Sequence, residues 1–279
     1  MLFEMNSRIL LHHYDIRLSN GILIHYKASG TGRIPIIFIH GYGMSSAVWD
    51  KVLTLFSSKY TCYAPDLPGF GNSDKPENGY SCSELAEDIA QFLDALRISQ
   101  AILIGHSLGG LTVQHFAVRY PDRVMALVLS NTIASTLPPK GISPAVEERI
   151  KGYGTPEENR KVFSATIPHY FDAENISAED IEYFISVGLQ ASNSALRETL
   201  ITNYTTPEIP PEKFADFKAL VLIIIAEYDP FGTRDQAIAM RDIFPKSEIR
   251  EISESGHSPM WEKPIEYTEI VIEFLDSIF

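Results

Sequence analysis

The sequence of 279 residues has little cysteine, no long apolar run and no surplus of basic residues. Its two cysteines, Cys62 and Cys82, are too few for a disulfide framework, and neither has a histidine at metal-ligand spacing. The longest apolar run, 219–226, has the length of a β-strand and is too short to span a bilayer. The N-terminus lacks the basic start and unbroken apolar stretch of a signal peptide. These absences predict a cytoplasmic protein with free thiols, no metal and no membrane insertion.

The charge balance is acidic and narrows the choice of partners. There are 36 Asp and Glu residues against 23 Lys and Arg, a formal net charge of −13. Such a chain is poorly suited to bind nucleic acid or an anionic membrane surface. Its length fits one large domain, or one domain that carries an insertion.

Apolar runs alternate with amphipathic segments along much of the chain. Residues 85–96 have apolar side chains at helical spacing, and Ser81 with Glu84 forms a capping box before them. This alternation predicts an α/β fold with a mostly parallel sheet, covered by helices on both faces. The runs typical of buried strands are 34–39, 102–104, 124–129 and 220–226.

The alternation stops after Asn131 and resumes at Phe217. The intervening residues contain Pro138-Pro139 and helix-compatible segments such as 179–189, but no strand-like run. A helical insertion between two α/β parts predicts a lid over the carboxyl edge of the sheet, where open α/β sheets have their sites. The predicted parts are a first core part at 1–133, a helical cap at 134–211 and a second core part at 212–279.

The sequence Gly105-His106-Ser107-Leu108-Gly109 lies between an apolar strand and a helix. A serine on so tight a turn adopts strained backbone angles, and the two glycines leave room for the neighbouring strand and helix. The backbone N–H of Leu108 then faces the position where an oxyanion would form. This context predicts Ser107 as a catalytic nucleophile.

A serine nucleophile needs a base and an orienting carboxylate, in the chain order Ser, acid, His for this topology. Of the eight histidines, His257 is the one that follows a glycine in a loop directly after a late strand. Asp229 and Glu227 compete for the role of the acid. Asp229 is favoured because Glu227 is nearer to the strand body, so its side chain would point along the sheet. The sequence predicts His257 as the base and Asp229 as the acid.

The second donor of an oxyanion hole is predicted in Gly41-Tyr42-Gly43, which follows the strand at 34–39. The backbone N–H of Tyr42 is the most plausible group. His40 and His106 precede site-forming residues and are predicted to be structural. The remaining histidines carry no functional signal: His12, His13, His25, His115 and His169.

Together these motifs resemble the α/β-hydrolase superfamily, in particular its serine carboxylesterase and lactonase members with a helical cap. The resemblance implies an eight-stranded sheet, a Ser107–Asp229–His257 triad and no cofactor. It also implies that 66–73 is mainly structural and shapes the pocket wall. The matching segments are 40–43, 66–73, 105–110, 226–229 and 256–259, with Glu262 and Pro264.

The resemblance implies hydrolysis of a small carboxylic ester or lactone through an acyl-enzyme on Ser107. A serine at this position argues against relatives that use Asp, such as haloalkane dehalogenases and epoxide hydrolases. Two alternatives stay open: a carbon–carbon hydrolase of ring-cleavage-type diketones, which often has Asn where this chain has His106, and a small-molecule receptor with a residual triad. Ring-bearing cap residues are compatible with an apolar substrate group: Tyr153, Phe163, His169, Tyr170, Phe171, Tyr183 and Phe184.

Overall fold

The computed structural model describes residues 11–137, 141–205 and 209–279. Two features used above, the N-terminal residues 1–5 and Pro138-Pro139, lie outside these ranges. Eight strands in these ranges form one mostly parallel sheet, as predicted, and their order in it is β1-β2-β4-β3-β5-β6-β7-β8. They are β1 (His12–Arg17), β2 (Leu23–Ser29), β3 (Ile34–Ile39), β4 (Tyr60–Pro65), β5 (Ala101–His106), β6 (Val124–Ser130), β7 (Leu220–Ala226) and β8 (Ser247–Ile252).

The sheet is parallel from β3 to β8, and β2 pairs antiparallel with β1 and β4. Every residue of β5 is buried, because helices cover both faces of the central strands. His106 lies opposite Ser130, and Ala226 lies opposite Ile252. The loops after β5, β6, β7 and β8 therefore meet at one edge, which is the edge where parallel sheets bind ligands.

Outside the segment between β6 and β7, six helices of the described chain flank the sheet: α1 packs with α9 and α10, α2 packs with α3, and α8 packs on β7 and β8. The predicted capping box is present, since the Ser81 hydroxyl accepts from the Glu84 N–H and the Glu84 carboxylate accepts from the Ser81 N–H. These helices are α1 (Asp50–Phe56), α2 (Cys82–Ala95), α3 (Leu108–Arg119), α8 (Arg234–Ile243), α9 (Pro259–Glu262) and α10 (Pro264–Asp276).

Between β6 and β7 the described residues form helices and no strand. The segment predicted at 179–189 corresponds to α6, and a 3₁₀ turn at Ile167–Tyr170 follows α5. We use the name helical insertion for α4 to α7 and the turns between them. The division of the chain at residues 134 and 211 stays a prediction. The four helices are α4 (Pro144–Lys151), α5 (Pro156–Thr166), α6 (Ala178–Gly188) and α7 (Asn193–Thr205).

Both cysteines are buried and unpaired. Cys62 lies in β4 and Cys82 begins α2, and burial raises the pKa of each thiol. Within the three described ranges, no helix is long and apolar enough to cross a membrane. The cytoplasmic location stays a prediction.

Candidate active site

Ser107 connects β5 to α3 with a strained backbone, at φ 52° and ψ −117°. A non-glycine residue in such a region costs about 1–3 kcal/mol and persists only where the surroundings enforce it. Here the Ser107 N–H donates to the Ser130 carbonyl at 3.0 Å, and the Ser107 carbonyl accepts from the Thr132 hydroxyl at 2.6 Å. These bonds hold the predicted nucleophile at the N-terminus of α3.

The glycines around Ser107 are required by close backbone contacts. A Cβ on Gly109 would lie 2.3 Å from the Ile39 carbonyl oxygen, so no larger residue fits there. A Cβ on Gly41 would lie 3.1 Å from the Cβ of Ser107. The loop that follows β3 therefore packs directly against the predicted nucleophile.

His257 and Asp229 form a buried pair, with His257 Nδ1 and Asp229 Oδ1 2.9 Å apart. Asp229 also accepts from the Phe231 N–H at 2.8 Å and from the Asn131 side-chain amide at 2.9 Å. Burial alone would raise the pKa of Asp229, but its electrostatic interaction with His257 and the three hydrogen bonds lower that pKa below its ordinary value. An ionised carboxylate only accepts, so Nδ1 carries the proton and Nε2 has a free lone pair.

The competing carboxylate, Glu227, does not reach this pair. It accepts from the Glu254 N–H at 2.9 Å at the exposed surface. Asn131, by contrast, entered the sequence analysis only as the residue after which the alternation stops. Its amide at the end of β6 is a further member of the site that the sequence did not reveal.

Ser107 and His257 line the same cavity, whose volume is about 150 Å³. No hydrogen bond joins Ser107 Oγ to His257 in the part of the chain that the structure describes. Such bonds are often long in ligand-free enzymes and tighten when substrate binds. The structure brings together the cavity-facing serine and the imidazole, and it fixes the imidazole through Asp229.

The two predicted oxyanion donors also line this cavity. Leu108 is the first residue of α3, so its N–H has no acceptor within the helix. The Tyr42 N–H makes no backbone hydrogen bond among the described residues. Two available N–H donors near Ser107 are the arrangement that an oxyanion hole needs, and their role stays a prediction.

The two histidines predicted to be structural support neighbouring loops. His40 Nε2 accepts from the Leu67 N–H at 2.9 Å, and His106 Nε2 donates to the His257 carbonyl at 2.7 Å. Burial lowers the pKa of His106 to about 3, so this ring is neutral at pH 7. His106 therefore supports the backbone of the predicted base without adding charge to the site.

Glu262 supports the same loop from the other side. Its carboxylate accepts from the N–H groups of Gly256 at 2.9 Å and Ser258 at 3.2 Å, the two neighbours of His257. It also accepts from the Asp172 N–H of the helical insertion at 2.8 Å. The motif contained Glu262, but only the structure shows that it connects the His257 loop to the insertion.

The helical insertion supplies part of the cavity wall. Among the ring-bearing residues predicted for the cap, Tyr170 lines the cavity in the described structure, whereas rings such as Phe171 and Phe184 stack on each other at 5.1 Å. The expectation for 66–73 was wrong in one respect, because none of these residues lines the cavity; Gly69 instead accepts a hydrogen bond from Ser192 of the insertion. The insertion's lining residues are Arg149, Tyr170, Leu200, Asn203 and Tyr204.

The cavity wall is less apolar than the sequence indicated. Four buried polar atoms without a hydrogen-bond partner among the described residues belong to lining residues: His106 Nδ1, His115 Nε2, Ser135 Oγ and Asn203 Oδ1. Burial lowers the pKa of His115, so its ring is neutral at pH 7. Polar groups of this kind can orient a ligand that is otherwise held by apolar contacts.

Comparisons with known proteins agree with this architecture. Residues 34–171 match the family model of the alpha/beta hydrolase fold. The chain is 28% identical to a 2-hydroxy-6-oxononadienedioate/2-hydroxy-6-oxononatrienedioate hydrolase of Burkholderia vietnamiensis, over 90% of both chains. It is 27% identical to a pimeloyl-[acyl-carrier protein] methyl ester esterase of Aeromonas hydrophila, over 86% of this chain and 94% of that one.

Among solved structures, the enol-lactonase from Burkholderia xenovorans superposes with a TM-score of 0.84. The superposition covers 94% of this chain and all of the other at 20% identity, a level that shows the fold alone. The matching family model, the strand order and the serine turn after β5 lead to the same assignment. The chain is a member of the α/β-hydrolase superfamily.

Proposed function

We propose that the protein is a serine hydrolase that cleaves a small carboxylic ester or lactone through an acyl-enzyme on Ser107. The observation that carries this proposal is the strained serine at the N-terminus of α3, in one cavity with an imidazole that a buried carboxylate orients. The name of one relative, a methyl ester esterase, supports an ester substrate.

The mechanism follows from the free Nε2 of His257. Nε2 takes the proton of the Ser107 hydroxyl as its oxygen attacks the acyl carbon, and Asp229 stabilises the imidazolium that forms. The N–H groups of Leu108 and Tyr42 stabilise the tetrahedral oxyanion, each by about 3 kcal/mol. His257 then returns the proton to the leaving group. A water molecule, activated by His257, hydrolyses the acyl-enzyme without a cofactor.

The helical insertion is the cap of this proposed enzyme. It contributes five of the lining residues, and its Asp172 is tied to the His257 loop through Glu262. Because the cap forms one wall of the cavity, its side chains select the substrate.

A carbon–carbon hydrolase is the second candidate. The observation in its favour is the relative named as an oxononadienedioate hydrolase, which is similar along 90% of this chain. The same serine, histidine and aspartate would serve that reaction, so the geometry of the three side chains does not separate the two candidates. A receptor with a residual triad would have the same geometry and differ in turnover.

The test is the hydrolysis of p-nitrophenyl esters from acetate to decanoate and of simple lactones, by the wild type and by Ser107→Ala. We expect a kcat of about 10 s⁻¹ on the best substrate and a loss of about 10⁴-fold in Ser107→Ala. Ser58→Ala, at an exposed position, is the matched control and should keep full activity. Equal activity of the wild type and Ser107→Ala would contradict the proposal.

Substrate comparison separates the remaining candidates. A ring-cleavage diketone hydrolysed with a higher kcat/KM than any ester or lactone would establish the carbon–carbon hydrolase. Tight binding of a small molecule without turnover, in a wild-type protein that leaves every ester and lactone intact, would establish the receptor.

A further inference from the structure

Arg149 is the one Lys or Arg among the cavity-lining residues of the described chain, and no Asp or Glu accompanies it there. It extends from α4 of the helical insertion. Its Nη2 donates to the Tyr170 hydroxyl at 2.8 Å, and its Nε donates to the Tyr153 hydroxyl at 3.3 Å. Its guanidinium also lies over the ring of Tyr42, 4.8 Å from the centroid. Each of these contacts is with a tyrosine.

The positive charge of Arg149 is not balanced by its neighbours. A guanidinium is protonated at every pH at which proteins fold. Burial raises the pKa of the Tyr42 and Tyr153 phenols, so both are neutral at pH 7. No carboxylate of the described residues lies within 4 Å of Arg149, although the sequence contains 36 acidic residues. Charges in a protein interior are usually paired, and this one has only neutral phenols and a ring.

The position of Arg149 relates this charge to the proposed reaction. Tyr170, which accepts from Arg149, has its ring centroid 5.7 Å from that of His257. Tyr42, whose ring faces the guanidinium, supplies a proposed oxyanion N–H. The Tyr170 side chain thus lies between Arg149 and the predicted base, and the Tyr42 side chain connects Arg149 to the oxyanion loop. A group bound to the guanidinium therefore lies in the cavity that Ser107 also lines.

We propose that Arg149 binds a carboxylate of the substrate, so that the protein acts on an ester or lactone that carries a free carboxylate a few carbons from the reacting carbonyl. This inference rests on the proposed hydrolase function. The Nη1 atom makes no hydrogen bond with the described residues, and Nη2 has a second hydrogen beside the one given to Tyr170. The guanidinium therefore keeps donors for an anionic oxygen, and a charge-assisted bond of this kind is about twice as strong as a neutral one.

The test compares substrates that differ in one charge. Monoethyl succinate, glutarate and adipate are each paired with the uncharged ethyl ester of equal chain length, butanoate, pentanoate and hexanoate. The readout is the ratio of kcat/KM, charged over uncharged, from acid release at constant pH. We expect a wild-type ratio above about 10 for at least one chain length, since a charge-assisted hydrogen bond gives about that factor.

Variants assign that preference to Arg149. Arg149→Gln should lower the ratio at least about tenfold, mainly through the KM of the charged ester, and Arg149→Lys should give an intermediate ratio because it keeps the charge without the planar fork. Arg160→Gln is the matched control. Arg160 lies on α5 of the same insertion, is exposed and pairs with Glu182, so its removal should leave the ratio unchanged.

A binding measurement separates this inference from the proposed function. In a Ser107→Ala background, calorimetry with the preferred monoethyl ester should show a Kd at least about tenfold weaker when Arg149→Gln is added. Arg149-dependent binding in a protein whose wild type hydrolyses neither esters nor lactones would support the carboxylate site and reject the hydrolase. Two results would overturn the carboxylate site and leave the hydrolase intact. One is efficient hydrolysis with a charged-to-uncharged kcat/KM ratio near or below one in the wild type. The other is a ratio that stays unchanged in Arg149→Gln and Arg149→Lys. If Arg149→Gln does not fold, the kcat/KM ratios of the wild type and of Arg149→Lys test the carboxylate site.

Discussion

The carboxylate of Glu262 connects three backbone N–H groups, and Glu262→Gln should therefore weaken both the fold and the proposed reaction. Two of these N–H groups, those of Gly256 and Ser258, flank His257, and the third belongs to Asp172 of the insertion. Glutamine has the shape of glutamate but replaces one acceptor oxygen by an NH₂ group, so at least one N–H group loses its partner.

The magnitude follows from the bonds that change. One unpartnered N–H costs about 1–3 kcal/mol, and each remaining bond loses about 1 kcal/mol when its acceptor becomes neutral. Part of this loss is offset, because burial raises the pKa of Glu262 and glutamine avoids the cost of burying a charge. We expect a net loss of about 2 kcal/mol in the free energy of unfolding. For 279 residues the unfolding entropy is about 0.6 kcal/mol/K, so the melting temperature should fall by about 3–4 °C.

The assays are thermal unfolding and steady-state kinetics on the best ester. We expect kcat to fall about tenfold with a smaller change in KM, because a displacement of the His257 loop moves the base away from Ser107. Glu269→Gln, at an exposed position inside α10, is the matched control and should change neither quantity. An unchanged melting temperature together with an unchanged kcat in Glu262→Gln would refute the positioning role of Glu262.

Two further predictions concern groups near the triad. The pKa of His106 is lowered to about 3 from its usual 6.5, so the unfolded chain binds a proton first and stability is lost as the pH falls below 6.5. Between pH 6.5 and 4.5 this loss is about 2 kcal/mol, and urea unfolding of His106→Gln should show a smaller pH dependence than the wild type; an equal dependence would contradict the assignment. Asn131→Gly removes the hydrogen bond from the Asn131 side-chain amide to Asp229 and keeps the positive φ of 51°, so kcat/KM should fall about tenfold, the equivalent of 1.4 kcal/mol. Unchanged kinetics of Asn131→Gly would show that this hydrogen bond does not assist Asp229.

The elements that the sequence predicted correctly are those encoded by neighbouring residues. The apolar run at 34–39 becomes β3 and the run at 220–226 becomes β7, because a strand buried on both faces needs apolar side chains at every position. The capping box of α2 depends on Ser81 and Glu84, three residues apart. The serine turn after β5 was equally clear, since its glycines are required by contacts within the same motif and with β3.

The composition of the site beyond these motifs depends on residues far apart in the chain. Asn131 donates to Asp229 across 98 positions, and Arg149 meets Tyr42 through packing of α4 against the loop after β3. In the sequence, Arg149 follows Glu147-Glu148 and has the pattern of an ordinary solvated helix face. The sequence by itself determined the succession of strands and helices along the chain and the motifs at the sheet edge, because local periodicity and turn chemistry depend on adjacent residues. Only the tertiary structure decided which amide, carboxylate and cation surround the serine, because those contacts arise when separate elements pack together.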